Sequence, residues 1–445
     1  MIEITTKVKR YDVYKDSGVE WLGEIPEHWE TRRIKYIFNE INERSENGNE
    51  DLLSVSQYTG VTNKSDKVQE GGMLTNALTL EGYKKVTKGD LISNIMLAWN
   101  GSLGFSPFNG ITSPAYSIYR IYGDNDNRYF HYLLRTELYK AEFKRNSSGV
   151  IESRLRLYTD DFFKIESILP PPPEQTKIAQ FLDDKTTKIE DAITIKKQQI
   201  NLLKERKQIL IHKTVTQGLN PNVTLKDSGV EWIGEIPEGW EVKRFRYVFN
   251  LGKGLTITKE NLRDEGVYCV NYGEIHSKFG FELDTKIHKL KHVDKEYLES
   301  DPRALIKNGD FVFADTSEDI EGSGNFTYLK SEDEIFAGYH TVVAKPKFEI
   351  VSRFFAYIFE SESFRNQIRT KVKGVKVFSI TQSLLKQPTV WFPSKKEQKE
   401  IINYLDSGAK KIETAINLKL QEIEKLKEYK SSLINSVVTG KVKVF

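Results

Sequence analysis

The chain has 445 residues, which is long for one ordinary domain and favours two to four domains. Apolar residues make up 38% and charged residues 29%, a balance that excludes a largely disordered chain. The formal net charge of +3 excludes a chain that coats nucleic acid over its whole surface, but it permits a local basic face.

The first segment is an expected N-terminal tail, residues 1–14. Its start, MIEITTKVKR, has no apolar stretch of the kind found in secretory signals, and the longest apolar runs of the chain are too short to span a membrane. Cys269 is the only cysteine, which excludes an intrachain disulfide and any multi-cysteine metal site. We therefore expect a cytoplasmic protein that makes no membrane contact.

The next segment, residues 15–39, occurs twice. It reads KDSGVEWLGEIPEHWETRRIKYIFN, and residues 226–250 match it at 18 of 25 positions. Both copies are rich in tryptophan and proline: Trp21, Trp29 and Pro26 in the first, Trp232, Trp240 and Pro237 in the second. We interpret each copy as a packing collar that docks a domain on a helix end, in preference to a ligand site.

A variable centre follows each collar, at about 40–170 and 251–393. The first contains the strand-like runs LLSVSQY, DLISNIMLAW and AYSIYRIY and then one helical stretch, NRYFHYLLRTELYKAEFKRN. The second repeats this order, and the pairs Gly89-Asp90/Gly309-Asp310 and Gly149-Val150/Gly374-Val375 survive at matching places. Each centre therefore predicts an α+β domain with a mixed sheet.

A basic stretch follows the helical segment of each centre. Its residues are Lys144, Arg145, Arg154 and Arg156 in the first centre and Arg365, Arg369, Lys371, Lys373 and Lys376 in the second. Basic side chains beside small residues suit contact with DNA phosphates, although an ordinary solvated face has the same composition. The loop 99–116 adds Trp99 and Asn100, which either read base edges or form a tight packed turn.

A long helix ends each half. Prolines and a Glu-Gln pair, Glu174-Gln175 and Glu397-Gln398, precede more than 40 residues without proline. Apolar residues lie there on a stripe whose positions alternate by four and three residues, a coiled-coil pattern: Leu182, Ile189, Ile193, Ile200, Leu203 and Leu210, then Leu405, Ile412, Ile416, Ile423, Leu426 and Leu433.

Two helices of about 42 residues, each roughly 63 Å long, are thus expected to pair with one another. Lys196 and Lys419 fall on the apolar stripe, and we expect them to face a point where the helices diverge or a partner protein. The predicted fold class is α+β: two α/β domains separated by a pair of long antiparallel coiled-coil helices, with a pseudo-two-fold internal repeat.

The motifs of several enzyme classes are absent from the sequence. There is no phosphate-binding G-x-x-x-x-G-K-[ST] loop, no G-x-S-x-G nucleophile motif and no metal-ligand spacing among the seven histidines. The methyltransferase motifs are missing as well, since Leu251-Gly252-Lys253-Gly254 is only a weak glycine pair. No catalytic residue and no metal ligand is predicted.

The twice-occurring SGVEW-GEIPE-W segment, the twice-occurring Glu-Gln entry to a long helix and the variable centre inside each copy resemble the specificity (S) subunits of type I restriction–modification systems. The resemblance covers residues 15–445. Trp99-Asn100-Gly101 and Ser113-Pro114-Ala115-Tyr116 also resemble one subtype of target recognition domain. The resemblance to specificity subunits implies that double-stranded DNA is the ligand and that each recognition domain reads one half of an asymmetric bipartite site.

The resemblance further implies that the helices set the spacer and dock two methyltransferase (M) subunits. Restriction (R) subunits would complete the complex, and S-adenosylmethionine, ATP and Mg²⁺ would bind to the partner subunits rather than to this chain. The implied domains are 15–173 (recognition domain 1), 174–217 (central helix), 218–225 (linker), 226–396 (recognition domain 2) and 397–445 (C-terminal helix). The alternatives are a two-domain DNA- or RNA-binding scaffold unrelated to restriction, and a self-sufficient nuclease or methyltransferase.

Overall fold

A computed structural model describes residues 9–67, 77, 79–151, 154–374 and 376–445. The chain forms two compact units, one built from the residues up to Lys196 with Leu420–Phe445 and the other from Lys197–Lys419. The first eight residues of the expected N-terminal tail lie outside the described part. Tyr11, within the same tail, is buried in the core of the first unit, so the described part of the tail is packed.

The first half of the chain is built around a four-stranded sheet. The strands of this half of the chain are β1 Tyr14–Asp16, β2 Glu24–Pro26, β3 Glu30–Arg33, β4 Phe38–Ile41, β5 Leu53–Ser56, β6 Gly60–Asn63, β7 Lys84–Val86, β8 Leu91–Asn94, β9 Leu103–Phe105, β10 Gly110–Thr112, β11 Tyr116–Ile121 and β12 Glu166–Leu169. Its helices are α1 Asn127–Leu133, α2 Glu137–Arg145, α3 Thr159–Lys164 and α4 Pro172–Gln217. The four-stranded sheet has the strand order β4-β11-β8-β9, and all its neighbouring strands are antiparallel. The prediction of a mixed sheet for this domain is therefore wrong.

The second half repeats this plan with longer sheets. Its strands are β13 Leu225–Asp227, β14 Glu235–Pro237, β15 Glu241–Arg244, β16 Phe249–Lys253, β17 Val267–Val270, β18 Phe281–Leu283, β19 Lys291–Val293, β20 Leu305–Ile306, β21 Phe311–Ala314, β22 Thr316–Ser317, β23 Phe326–Leu329, β24 Ile335–Ala337, β25 Thr341–Pro346, β26 Phe378–Ser379 and β27 Thr389–Phe392. Its helices are α5 Phe245–Val248, α6 Tyr272–Ser277, α7 Tyr297–Ser300, α8 Ser352–Glu360, α9 Glu362–Arg369, α10 Gln382–Leu385 and α11 Lys395–Val438.

The sheets of this second domain are mixed, as predicted. The five-stranded sheet β16-β25-β21-β23-β18 ends in the parallel pair β23/β18, and the four-stranded sheet β19-β17-β24-β20 contains the parallel pair β17/β24. The strands β15 and β27 pair in the register of β3 and β12 in the first domain, with Arg244 opposite Thr389 where Arg33 is opposite Glu166.

Each predicted helical stretch of the variable centres is a pair of short helices. In the first domain the break lies at Thr136, whose hydroxyl accepts a hydrogen bond from the backbone N–H of Tyr139 and so begins α2. In the second domain Ser361 separates α8 from α9 with an extended backbone. The break lets both helices turn aromatic side chains, such as Tyr129 and Phe143, into one core.

The long helices pair antiparallel within each unit. In the first unit Lys430 of α11 contacts Glu190 of α4, and the Lys196 ammonium donates to the Glu422 carboxylate at 2.5 Å. In the second unit Lys207 donates to Glu413 at 2.7 Å. Leu210 lies beside Gly408 in the second unit as well. In both units, residues later in α4 therefore contact residues earlier in α11. All twelve predicted apolar residues of the helix stripe are buried or half-buried.

The expectation that Lys196 faces a point where the helices diverge is wrong. Its side chain lies across the helix pair, with 22% of its surface exposed, and its charge is paired with Glu422. A lysine on the apolar stripe is tolerated because its methylene stem packs along the helices while the ammonium reaches a carboxylate at the rim.

Candidate nucleic-acid interface

The collars are fixed to the long helices by the residues that are repeated most faithfully. Trp29 is fully buried, and its indole N–H donates to the Glu174 carboxylate at 2.9 Å. In the second unit the indole N–H of Trp240 donates to Glu397 at 3.3 Å. A buried indole N–H needs an acceptor, so this tryptophan and this glutamate depend on one another. The packing interpretation of the collar fits these contacts.

The glutamine of each Glu-Gln pair holds the start of its helix. The side-chain amide of Gln175 donates to the carbonyl oxygen of Pro170 at 2.8 Å, and that of Gln398 donates to Pro393 at the same distance. Both glutamines are buried. The bond closes the proline turn onto the first helical turn, which fixes where the recognition domain ends and the helix begins.

Each long helix ends at a glycine that a collar covers. Gly440 has φ +76°, and a Cβ placed on it would lie 2.5 Å from Pro26 and 2.9 Å from Trp29. Gly218 has φ +73° and faces Trp240 and Pro237 in the same way, with more room. Glycine ends both helices because the backbone is left-handed there and the collar lies against it.

A second repeated contact joins each recognition domain to the helix that follows it. In the first unit Arg128 and the Tyr132 hydroxyl both donate to Asp183, at 3.2 and 2.7 Å. Burial and the hydrogen bond to Asp183 raise the pKa of Tyr132 to about 12. The second unit uses Arg353, Tyr357 and Asp406, and the domain helix carries the same Arg-x-x-x-Tyr spacing as in the first. Our sequence reading missed this motif.

Three segments form one end of each recognition domain. One is the segment that follows β8 or β21, at 95–101 or 315–317; another is the turn at 113–116 or 338–341. The third is the basic loop, closed by the bridge Ser148/Arg156 in the first domain and Lys373/Ser379 in the second. We call these three segments together the loop end of each domain.

In both domains the residue after the basic loop is hydrogen-bonded to the residue that directly follows β8 or β21. The N–H of Leu157 donates to the carbonyl of Ile95 at 2.8 Å, and the N–H of Ile380 donates to that of Asp315 at 2.7 Å. Gly149 sits where a Cβ would lie 2.7 Å from the Arg154 carbonyl oxygen. Gly374 is equally confined, which explains why these two glycines recur, whereas Val375 lies outside the described residues.

In the first domain the predicted DNA-contact residues lie on or beside the loop end. Arg154 and Arg156 are exposed on the basic loop. Arg145 is two-thirds exposed and pairs with the buried Glu142 at 2.7 Å. The Lys144 ammonium lies 5.4 Å from the centre of the Trp99 ring, a cation–π contact.

The Trp99-Asn100 segment has the geometry of a packed turn. The indole of Trp99 donates to the carbonyl of Met96 at 3.1 Å and packs against the domain core. The side-chain oxygen of Asn100 accepts from the hydroxyl of Ser102 at 2.8 Å. These contacts occupy the indole N–H and the amide oxygen within the turn.

In the second domain the predicted residues divide into two groups. Arg365 is 11% exposed and donates to Glu360 and Asn325, while Arg369 is 16% exposed and pairs with Glu362. These two arginines support the loop end from within. Lys371, Lys373 and Lys376 are exposed on or next to the basic loop.

Two general findings bear on the chemistry. Within the described residues, no cluster of three or more His, Cys, Asp or Glu side chains is arranged to hold a metal ion. No helix among those residues is both long and apolar enough to cross a membrane.

Comparison with known proteins identifies the family. The family model for the type I restriction modification DNA specificity domain matches twice, over 26–205 and 237–425. The specificity subunit of the type I restriction enzyme MjaVIII from Methanocaldococcus jannaschii is 26% identical over 373 residues, which cover 81% of this chain and 83% of that protein. The putative MjaX specificity subunit of the same organism is 26% identical over 95% of this chain and 96% of its own length.

Solved structures share the fold. A chain from a study of complex assembly and conformational transition of the type I R-M system aligns with a TM-score of 0.68 at 13% identity, covering 93% of this chain and 98% of its own. The HsdS subunit from Thermoanaerobacter tengcongensis aligns with a TM-score of 0.52 at 14% identity, over 94% and 98%. The two family matches and the two repeated domains together show that this chain belongs to the type I restriction–modification specificity subunits, with two DNA recognition domains that give sequence specificity.

Proposed function

We propose that each recognition domain reads one half of a bipartite DNA site through its loop end, while the long helices set the spacer and dock methyltransferase subunits. The observation that carries this proposal is the duplication itself. Each unit repeats the collar bond, the Arg-Tyr-Asp contact and the basic loop, whereas the sequences of the loop ends differ. Two domains that share these contacts but differ in their loop ends suit a DNA site whose two halves differ in sequence.

The contact with DNA is supported by the charges of the loop end. Exposed lysines or arginines lie on both basic loops, beside glycines that bring the backbone close to the surface. Such groups bind phosphates and set the position of the protein on the duplex, and neighbouring side chains then reach base edges. The acidic partners of Arg365 and Arg369 exclude these two arginines from this role in our proposal.

The docking of methyltransferase subunits is supported by apolar side chains on the helices. In the second unit Leu202 and Ile209, seven residues apart and so on one face of α4, are 63% and 58% exposed. Tyr404 of α11 is 50% exposed and borders, with Ile209 and Leu219, a surface cavity of about 510 Å³. Exposed apolar groups of this size are typical of protein interfaces.

In this proposal the chain itself is not catalytic. Methyl transfer to adenine, ATP-driven translocation and cleavage belong to the M and R subunits, which would also bind S-adenosylmethionine, ATP and Mg²⁺. Assay of the purified chain with S-adenosylmethionine or with a divalent metal is expected to give no methylation and no cleavage. Activity of the chain alone would favour the self-sufficient enzyme instead.

Co-purification tests the docking surface. The chain carrying Leu202→Glu and Ile209→Glu should lose the methyltransferase subunits that wild type retains, and the matched control Lys197→Glu, an exposed position on another face of α4, should retain them. A wild-type chain that binds DNA but never retains a methyltransferase would favour the scaffold unrelated to restriction.

A further inference from the structure

The turn at 338–341 holds a residue in an unusual backbone conformation. His340 has φ +54°, a region that residues other than glycine rarely adopt. The turn is fixed from both sides: the N–H of Asp315 donates to the His340 carbonyl at 3.0 Å, and the Thr341 hydroxyl donates to that of Gly338 at 2.6 Å. Phe281 also has positive φ, but its ring packs against Tyr357, so packing accounts for it.

The His340 side chain is exposed and yet oriented by its neighbours. It is 58% exposed, its Nδ1 lies 3.3 Å from the Asp315 carboxylate, and its ring meets the Tyr272 ring edge to face at 5.2 Å. Because a carboxylate only accepts, Nδ1 carries the proton, and in the neutral imidazole Nε2 is then an acceptor. Nε2 makes no hydrogen bond within the described part of the chain.

The basic loop adjoins this imidazole. Asp315 bonds through its N–H to His340 and through its carbonyl to Ile380, and Ser379 pairs with both Thr316 and Lys373. Lys373 and Lys376 are exposed on this loop, and both the loop and His340 are thus bonded to the segment 315–316. A duplex held by these lysines would have its groove next to the imidazole.

We propose that His340 is a specificity-determining residue of recognition domain 2, which reads one base pair in the major groove. This role rests on the proposed function of the loop end. An Nε2 acceptor pairs with an exocyclic amino group, which only adenine and cytosine present in that groove. The base that faces His340 therefore carries an amino group. The turn of domain 1 has Ala115 at the matching place, so that domain reads its half-site with other side chains.

The test selects duplexes from a randomised pool with the full-length chain assembled with methyltransferase subunits. His340→Gly removes the side chain without strain, whereas His340→Asn accepts positive φ but keeps an amide oxygen as acceptor. His340→Gly should lose about tenfold or more of the preference for adenine or cytosine at one position of one half-site, and His340→Asn should retain part of it. Ala115→Gly is the matched control, and it should leave that half-site unchanged.

Several outcomes would overturn this role. One is an unchanged preference at every position in His340→Gly. Another is a loss of affinity that is equal for all sequences, which would make His340 a positioning residue. Equal melting temperatures of wild type and His340→Gly establish that folding is not the cause of any change. A wild-type complex with no sequence preference in that half-site would overturn the proposed function itself, and this role with it.

Discussion

Arg353 of the second recognition domain donates from Nε and from a terminal nitrogen to the carboxylate of Asp406 on the long helix, at 2.9 Å in each case. The Tyr357 hydroxyl donates to the same carboxylate at 2.5 Å. In the first unit Arg128 and Tyr132 donate to Asp183 at the matching place, with one hydrogen bond from Arg128. In the second unit the domain and the helix are thus joined by a fork-shaped contact that resists rotation better than apolar packing alone does.

The first prediction concerns this contact. Asp406→Ala removes the acceptor of two donors that are only partly exposed, and we expect the second unit to lose about 1–3 kcal/mol of stability, seen as a lower melting temperature. The matched control is Glu349→Ala, which removes an exposed ion pair with Lys395 and should lower the melting temperature much less, because solvent screens this pair. Equal effects of the two substitutions would show that the contact does not stabilise the unit.

The second prediction concerns pH and the first unit. Burial, followed by the nearby Arg135 charge, lowers the pKa of His131 to about 4. In the unfolded chain the His131 imidazole binds a proton near pH 6.5, whereas in the folded chain it binds one only near pH 4. The free energy of unfolding therefore falls as the pH decreases through this window. Between pH 7 and pH 5 we expect a loss of about 2 kcal/mol from this residue.

Chemical unfolding at the two pH values measures this loss. Ala356 occupies the matching place in the second domain, which makes His131→Ala a natural comparison. This variant is expected to be less stable at pH 7 and to show a smaller difference between the two pH values. A difference as large as that of wild type would mean that another group is responsible.

The third prediction concerns the basic loop. Replacing Lys371 and Lys373 by alanine should weaken binding to all DNA sequences and reduce the slope of log affinity against log salt by about 1–2, because two phosphate contacts are lost. Replacing Lys144 and Arg145 should do the same for the first domain. Unchanged affinity combined with a new base preference would show that these residues read bases instead.

The fourth prediction concerns the helices as a ruler. Four residues inserted into α4 within 190–210 lengthen it by about 6 Å, close to the rise of one or two base pairs. Because the helices pair antiparallel within each unit, a matching insertion in α11 within 410–430 is needed to keep both pairings. Methylation mapping should show a longer spacer between unchanged half-sites, and an unchanged spacer would refute the ruler.

The fifth prediction concerns a half-length chain. The first collar covers the end of α11 at Gly440, and Gly218 has the equivalent place at the end of α4. A fragment of residues 1–220 lacks α11, so the helix end of a second copy should take its place. The fragment should form a symmetric dimer and, with M subunits, methylate an inverted repeat of one half-site. A soluble fragment that stays monomeric at micromolar concentration would contradict this.

The repeated ends of the chain could be predicted from sequence more fully than its centres. The long helices begin at Pro172 and Lys395, two residues before the predicted Glu174 and Glu397. The agreement is close because the proline and heptad patterns that predict a helix are local in the sequence. The contact of Arg128 with Asp183 was missed because 55 positions separate them and no periodicity links them. Its signal was the Arg-x-x-x-Tyr spacing, present in both halves within otherwise divergent sequence.

The DNA-contact residues were harder to predict for a physical reason. Arg365 and Lys373 have the same charge, and only the fold shows that Arg365 faces Glu360 while Lys373 faces solvent. The candidate role of His340 depends on a positive φ and on the carboxylate of Asp315, 25 positions away, neither of which a sequence pattern shows.

The central claim is that two recognition domains read two separate half-sites. It is tested most directly by mapping methylated bases across the DNA of cells that express this chain with methyltransferase subunits, once for wild type and once with the turn and basic loop of domain 2 replaced by those of another specificity subunit. We predict a gapped motif for wild type, and a change in one half only for the exchanged chain. A contiguous motif, or a change in both halves, would contradict the account.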